Sequence, residues 1–342
     1  MKTEEILARL VKFNTIRDKE VKELVSFVRE FLAPFGFSFR DEGGCLVATR
    51  GQKNEAKIGF LGHMDTVAPG EQWRTDPWVL TEDGDKLLGL GACDMKGGIA
   101  AFLAAAAQTT EPVKIYLTYD EEIGFGGVLE LIKAKEQFPE IMVFAEPTGG
   151  EPRIAGKGLL KAKLEFHGVR VHSSRPDKGV NAIYKAVDFI TDLREFAESL
   201  QSRRDERFSI PYTTMNVGLI GGGDAINTTP EKCWLTVDFR TVSLNDQTTA
   251  LNKLTELSEK FEADAEILED IKPFSNEIRD EKVLNILGNK FGASNGMTEA
   301  SLCDVKCRII MGPGSTAHEA NEFVSRNALN EIAEIYKKLI KC

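Results

Sequence analysis

The sequence predicts an α/β protein: a largely parallel sheet covered by helices, interrupted by an inserted β-α-β-β-α-β domain. Three observations carry this expectation. Apolar runs of strand length alternate with helical patterns as far as Ala145. Beyond residue 158 the order changes to strand, helix, two strands, helix, strand, which is the split βαβ arrangement of ferredoxin-like domains. After residue 273 helix, strand and helix return, so residues 1–157 and 273–342 are expected to share one sheet, with 158–272 inserted into it.

In order, residues 4–13 and 19–34 carry apolar positions at helical spacing, and Pro34 with Gly36 ends the second helix. Strands are expected at 37–41, 45–50 and Ile58 to Asp65. The third of them ends in His63 and Asp65, whose side chains share a face because strand side chains alternate. A turn-rich loop follows, then Leu87 to Gly98, which leads into an Ala-rich helix from Ile99 to Gln108. The glycines there lack the Walker spacing of a phosphate loop. The strand Val113 to Tyr119 runs into Asp120-Glu121-Glu122. After a helix at 126–137, the strand Ile141 to Ala145 runs into Glu146. The inserted domain is read as strand 159–168, helix 181–200, strands 213–220 and 233–241, helix 246–261 and strand 265–272. A helix at 281–290, a strand from Cys307 to Met311 and a helix at 326–341 complete the chain, with His318 in the loop after that last strand.

Composition narrows the function. A length of 342 residues with 42% hydrophobic and 28% charged residues is that of a large globular protein, and no apolar run is long enough for a membrane span. A net charge of −10, with Lys and Arg interspersed among acids, argues against nucleic acid and for a small-molecule partner. The N-terminus reads as an amphipathic helix without a signal peptide's apolar core, and the six cysteines lack disulfide or zinc-ribbon spacing; both point to the cytoplasm.

Strand after strand thus ends in residues able to bind metal, and ligands collect at the carboxyl ends of strands in open α/β sheets. The candidate ligands are His63, Asp94, Glu122, Glu146 and His318, with Asp65 and Glu121 left over. Two imidazoles and three carboxylates exceed one four-coordinate zinc but suit two ions if one carboxylate bridges. Adjacent Glu121 and Glu122 are expected to diverge, one to metal and one to the water it activates. That is the chemistry of metal-assisted amide hydrolysis.

The motifs HMDTV (63–67), GACDMKGG (91–98), TYDEEIG (118–124), AEPT (145–148), VHSSRPDKGVNAI (171–183), GGDAINTTP (222–230) and GPGSTAHEANE (312–322) resemble the co-catalytic zinc deacylases and peptidases. That family includes acetylornithine deacetylase, succinyl-diaminopimelate desuccinylase, aminoacylase and glutamate carboxypeptidase. The resemblance runs in order over nearly the whole chain. It implies a zinc-exopeptidase-like catalytic domain and an inserted lid that also forms a homodimer. It implies two zinc ions per subunit, with cobalt or manganese as substitutes. His63 and Glu146 would hold one ion, Glu122 and His318 the other, and Asp94 would bridge. Glu121 would be the general acid/base, Asp65 would orient His63, and His172 would reach a neighbouring subunit's site to stabilise the oxyanion. His167 matches no motif and is read as structural.

Glu rather than Asp at position 146 resembles the acylamino-acid hydrolases more than the peptidases of the family, and the two lid motifs look closest to acetylornithine deacetylases and related acetyl-lysine and acetyl-citrulline hydrolases. The substrate implied is a small N-acyl amino acid such as N-acetylornithine. A dipeptidase, carboxypeptidase or succinyl-diaminopimelate desuccinylase is the alternative within the family, and a metal-binding scaffold without turnover the alternative outside it. The α-carboxylate of the substrate calls for cationic or N–H partners, for which Lys157, Asn227, Arg240 and the Gly314-Ser315 turn are placed. Hinges near 157 and 272 would let the lid close.

Overall fold

Helix α1 (Thr3–Val11) opens the chain in the computed structural model, which describes residues 1–52 and 54–342. Glu4 and Glu5 sit in its first turn against the positive end of the helix dipole, while Ile6, Leu7, Leu10 and Val11 turn one stripe into the core. Helix α2 (Val21–Leu32) buries Val21, Leu24, Phe27, Val28 and Leu32 at the same spacing. It is stopped by Pro34 and by Gly36, whose φ of 77° is the left-handed turn that glycine adopts freely.

There follow β1 (Ser38–Glu42), β2 (Cys45–Arg50), β3 (Ile58–His63), β4 (Thr81–Asp83), β5 (Lys86–Leu88), α3 (Lys96–Ala107), β6 (Val113–Thr118), α4 (Gly126–Lys133) and β7 (Ile141–Phe144). Then come β8 (Arg153–Gly156), β9 (Gly158–His167), α5 (Ala182–Leu200), β10 (Thr214–Gly222), β11 (Lys232–Thr241), α6 (Leu244–Phe261), β12 (Ala263–Ile271) and β13 (Phe274–Ser275). The chain closes with α7 (Glu281–Leu287), β14 (Gly292–Ser294), β15 (Cys307–Ile310), β16 (Phe323–Ser325) and α8 (Arg326–Ile340). Two units result, one made of residues 1–154, 276–292 and 298–342, the other of 155–275 and 293–297.

The first unit is built on a sheet in the order β1-β2-β6-β3-β7-β15. β6, β3, β7 and β15 run parallel, and β1 and β2 form an antiparallel edge. Strands β3 and β7 are buried along their whole length, as parallel strands covered on both faces must be. Helix α3 is buried nearly all round, and its small residues let its backbone lie on the sheet: a Cβ on Gly98 would fall 2.3 Å from the Ala145 carbonyl oxygen. Tyr336 of α8 packs its ring 4.9 Å from Phe60 of β3 and donates its hydroxyl to the Met311 carbonyl.

The second unit is a four-stranded antiparallel sheet, β10-β11-β9-β12. Alternate residues of β9 (Leu160, Ala162, Leu164, Phe166) and of β11 (Leu235, Val237, Phe239) meet Phe189 and Leu193 of α5 and Leu254 and Leu257 of α6 in one core. The β-α-β-β-α-β order expected from the sequence is the one observed.

Several features differ from expectation. β4, β5 and β16 form a small three-stranded sheet that was not foreseen, because three residues are too short to display an alternating pattern. Helix α7 ends at Leu287 rather than 290, where Gly288 leaves the helical region. Asp65 does not lie on its strand, and β6 stops one residue short of Tyr119, since β3 ends at His63 and β6 at Thr118. No helix among the described residues is long and apolar enough to cross a membrane.

Candidate metal centre

The register of the parallel strands gathers the expected ligands. His63 stands opposite Thr118, Leu61 opposite Phe144, and Phe144 opposite Ile310, so the three loops after β6, β7 and β15 leave the sheet side by side. Main-chain bonds extend the ladder past the strand ends: Met64 N–H to the Thr118 carbonyl at 2.9 Å, Ala145 N–H to Leu61 at 3.0 Å and Met311 N–H to Phe144 at 2.9 Å. The loop after β6 turns at once, because Asp120 adopts a φ of 60° and its carbonyl accepts from the Gly124 N–H at 3.0 Å. Glu121 and Glu122 therefore stand in a turn rather than on a strand.

Two ligand clusters form. One atom each of His63, Asp94 and Glu146 lie within 4.8 Å of one another, and so do atoms of Asp94, Glu122 and His318. Asp94 belongs to both, as a bridging carboxylate would. His63 Nε2 is 3.1 Å from Asp94 Oδ1, and His318 Nε2 is 3.0 Å from Glu122 Oε2 and 3.5 Å from Asp94 Oδ2. Glu121 belongs to neither cluster.

The support of His63 differs in detail from the expectation. Its Nδ1 lies 3.0 Å from the Asp65 main-chain carbonyl and 3.5 Å from the Asp65 carboxylate, whose other oxygen accepts the Glu122 N–H at 3.1 Å. The carbonyl can only accept, so Nδ1 carries a proton and donates it. A neutral ring would then turn the Nε2 lone pair on the Asp94 oxygen, acceptor against acceptor. The contact is favourable only with a cation between or on these atoms, either a proton or a metal ion.

Electrostatics agree with a metal. Burial pushes Glu121 up to about 7, and burial likewise raises Glu122 and holds Glu146 well above the usual carboxylate range, with neighbouring carboxylates adding to each shift. Burial disfavours a charged His63, but the neighbouring Asp65 and Asp94 carboxylates outweigh that and hold it well above the usual imidazole range. Burial would also raise Asp65, yet His63 and the Glu122 N–H keep it below the normal value. Crowded carboxylates that resist ionisation beside an imidazole, His63, drawn toward protonation form a site short of positive charge. Nitrogen and oxygen donors of this kind suit zinc, cobalt or manganese.

Three buried charged residues of this region had no role in the sequence reading. Glu299, with Thr118 Oγ1 donating to it at 3.0 Å, is pushed up to about 8 by burial. Glu322 accepts the Gly91 N–H and is likewise pushed up to about 8. Lys96 donates to the Phe13 carbonyl at 2.8 Å, and burial lowers it to about 7. Lys96 and Glu322 lie within motifs already singled out, whereas Glu299 follows an unremarkable Gly-Met-Thr and carried only the weak signal of an acid beside small apolar residues.

Of the residues expected at the substrate, Gly314 and Ser315 belong to the first unit. The Gly314 carbonyl accepts from Gly149 N–H at 2.7 Å, and a Cβ there would strike Cys93 at 2.3 Å, so the turn is packed against the residue before Asp94. The others lie in the second unit. His172 is exposed, with Nδ1 2.9 Å from Ser174 Oγ, and the exposed Asn227 gives its carbonyl to the Ser173 N–H at 2.9 Å. Lys157 is buried and donates to the Tyr212 carbonyl at 2.8 Å, and Arg240 pairs with Asp238 at 2.9 Å. Both cations therefore already have partners within their own unit. His167 pairs with Asp264 at 2.7 Å on the surface.

Known proteins match this architecture. Residues 154–266 match the model of a peptidase dimerisation domain. The chain is 33% identical to an acetylornithine deacetylase of Pasteurella multocida over 94% of its own length and 91% of the relative's. It is also 33% identical to one of Proteus mirabilis, covering 95% and 90%. Its fold resembles an aminopeptidase of Bacillus cereus with a TM-score of 0.79 at 20% identity, covering 100% and 98% of the two chains. A Bacillus subtilis protein described as a dinuclear metal binding peptidase of the M20 family matches with a TM-score of 0.72 at 15% identity, over 99% and 96%.

Proposed function

The chain belongs to the acetylornithine deacetylase family of metal-dependent amidohydrolases, and from that membership we propose that it removes an acetyl group from the α-amine of an amino acid such as ornithine. The observation that carries the reading is the pair of ligand clusters sharing Asp94, with Glu121 beside them and uncommitted. His63, Asp94 and Glu146 would hold one zinc ion and Asp94, Glu122 and His318 a second, with cobalt or manganese as substitutes. Bound there, the ions supply Lewis acidity to the amide carbonyl and lower the pKa of the attacking water.

The residues of the chain do the rest. The Asp65 carbonyl holds the His63 ring so that Nε2 faces the cluster. A Glu121 carboxylate oxygen takes a proton from the attacking water as the new C–O bond forms, then delivers it to the departing amine nitrogen as the C–N bond breaks. The products are acetate and the free amino acid.

The N–H groups of the Gly314-Ser315 turn are proposed to meet the substrate carboxylate. The match to a peptidase dimerisation domain supports a homodimer, in which His172, within that domain, serves the partner's site as oxyanion donor. The six cysteines are all free thiols, in keeping with a cytoplasmic enzyme.

A panel of N-acetyl, N-succinyl and dipeptide substrates, with and without chelator, tests the activity. Chelator-sensitive turnover of N-acetyl amino acids is expected, and dipeptide cleavage without deacetylation refutes the reading. Mixing His172→Ala with Glu121→Gln subunits should restore one competent site per heterodimer. No recovery after verified mixing would overturn catalysis in trans.

A further inference from the structure

A cavity of about 250 Å³ opens beside His318, lined by Val67, Pro69, Trp73, Leu90, Glu319 and Glu322 among others. The loop after β3, the loop after β15 and Leu90 of the segment after β5 form it, and Asn321 ties the first two together. Its side-chain N–H donates to the Gln72 carbonyl at 2.9 Å, and its side-chain oxygen accepts the Arg74 N–H at 2.6 Å. The walls are thus held in register with a residue of the metal centre.

The lining has two chemistries. Val67, Pro69, Leu90 and the Trp73 ring offer an apolar surface for methylenes, and an aromatic face that attracts cations. Glu319 and Glu322 offer carboxyl oxygens that can accept from an ammonium group. Glu322 is 2% exposed; one of its oxygens accepts the Gly91 N–H, and the other has no hydrogen-bond partner. Among the described residues neither glutamate has an ion-pair partner. The other titratable group on the lining is His318, which faces Glu122 and Asp94. A buried carboxylate left half-unpartnered at the wall of an apolar cavity fits a cation with an alkyl stem. At about 30 Å³ per water-sized group, the volume holds an unbranched chain of four or five heavy atoms with room to spare.

We propose that this cavity is the subsite for the substrate's side chain, and that Glu319 and Glu322 there select a terminal ammonium group. The proposal rests on the N-acyl amino acid reading above and names the residues that set its preference within that class. Glu319 is the tunable member, because it is exposed and only its main chain is hydrogen-bonded, whereas the Glu322 side chain also secures the Gly91 loop.

The test compares N-acetylornithine with N-acetylnorleucine, which replaces the ammonium by a methyl, and with N-acetyl-2-aminoadipate, which replaces it by a carboxylate. The metal-loaded wild type is expected to favour the ornithine compound over norleucine about tenfold or more in kcat/KM. Glu319→Gln should shrink that ratio about tenfold through KM with kcat kept, and Glu319→Lys should shift preference toward the aminoadipate compound. Ratios unchanged in both variants overturn the proposal. Should the wild type hydrolyse none of the three, the deacetylase reading fails by itself. Calorimetric binding of free ornithine against norleucine then decides the cavity: a preference lost in Glu319→Gln supports it, and equal affinities overturn it.

Discussion

Replacing Asp65 separates two ways of holding His63. The ring's Nδ1 is 3.0 Å from the Asp65 carbonyl oxygen but 3.5 Å from its carboxylate, beyond good hydrogen-bond range. Substitution leaves that carbonyl in place. Asp65→Asn removes a negative charge yet keeps an acceptor for the Glu122 N–H, now bonded at 3.1 Å. The expected cost in metal affinity is therefore at the low end of the range for groups supporting a ligand, about tenfold, or about 1.4 kcal/mol. Asp65→Ala also strands the Glu122 N–H, adding about 1–3 kcal/mol, so its loss should reach about a hundredfold or more. Competition with a chelator of known affinity measures both variants, with metal analysis giving the stoichiometry. A hundredfold loss in Asp65→Asn would show that the carboxylate, not the carbonyl, sets the ring. No loss in Asp65→Ala would remove the carboxylate from the account and leave the carbonyl alone to hold the ring.

Glu121→Gln is expected to retain its metals and lose about a hundred- to ten-thousandfold in kcat, measured on N-acetyl substrates; normal turnover would refute its role as base. Gly98→Ala should cost about 1–3 kcal/mol in denaturant unfolding and weaken metal binding, because the new methyl meets the Ala145 carbonyl just before Glu146 and helix α3 must shift. Glu136, away from the metal centre, accepts from Lys114 Nζ at 2.9 Å, from Tyr116 at 3.0 Å and from Arg40. Burial works to raise it, but these partners prevail and hold it below the usual range. A lowered acid stabilises the fold above its unfolded pKa of about 4.3 and loses that contribution as pH falls through the folded value. Wild type should therefore exceed Glu136→Gln in stability by about 1–2 kcal/mol at pH 7, a gap that closes below about pH 4 in urea titrations.

Much of the site was legible before any coordinates. Apolar strands ending in His63, in the Glu121-Glu122 pair and in Glu146 announce themselves, because a buried parallel strand has to be apolar and the first polar residue after it stands at the sheet's edge. The inserted βαββαβ domain was equally plain, since each of its strands and helices is long enough to show its period. What escaped were elements too short to have one, such as β4, β5 and β16, and residues whose importance comes from partners distant in sequence. Glu299 gains its place through Thr118, and Glu322 through Gly91.

By itself the sequence determined the fold class and which side chains could bind metal, since both follow from local periodicity and residue chemistry. Only the tertiary structure decided that Asp94 belongs to both ligand clusters, that a main-chain carbonyl holds the His63 ring, and that Trp73, Glu319 and Glu322 line one cavity. The physical reason is that distances between loops are set by strand register and by a left-handed turn at Asp120, and neither leaves a mark on the order of the residues.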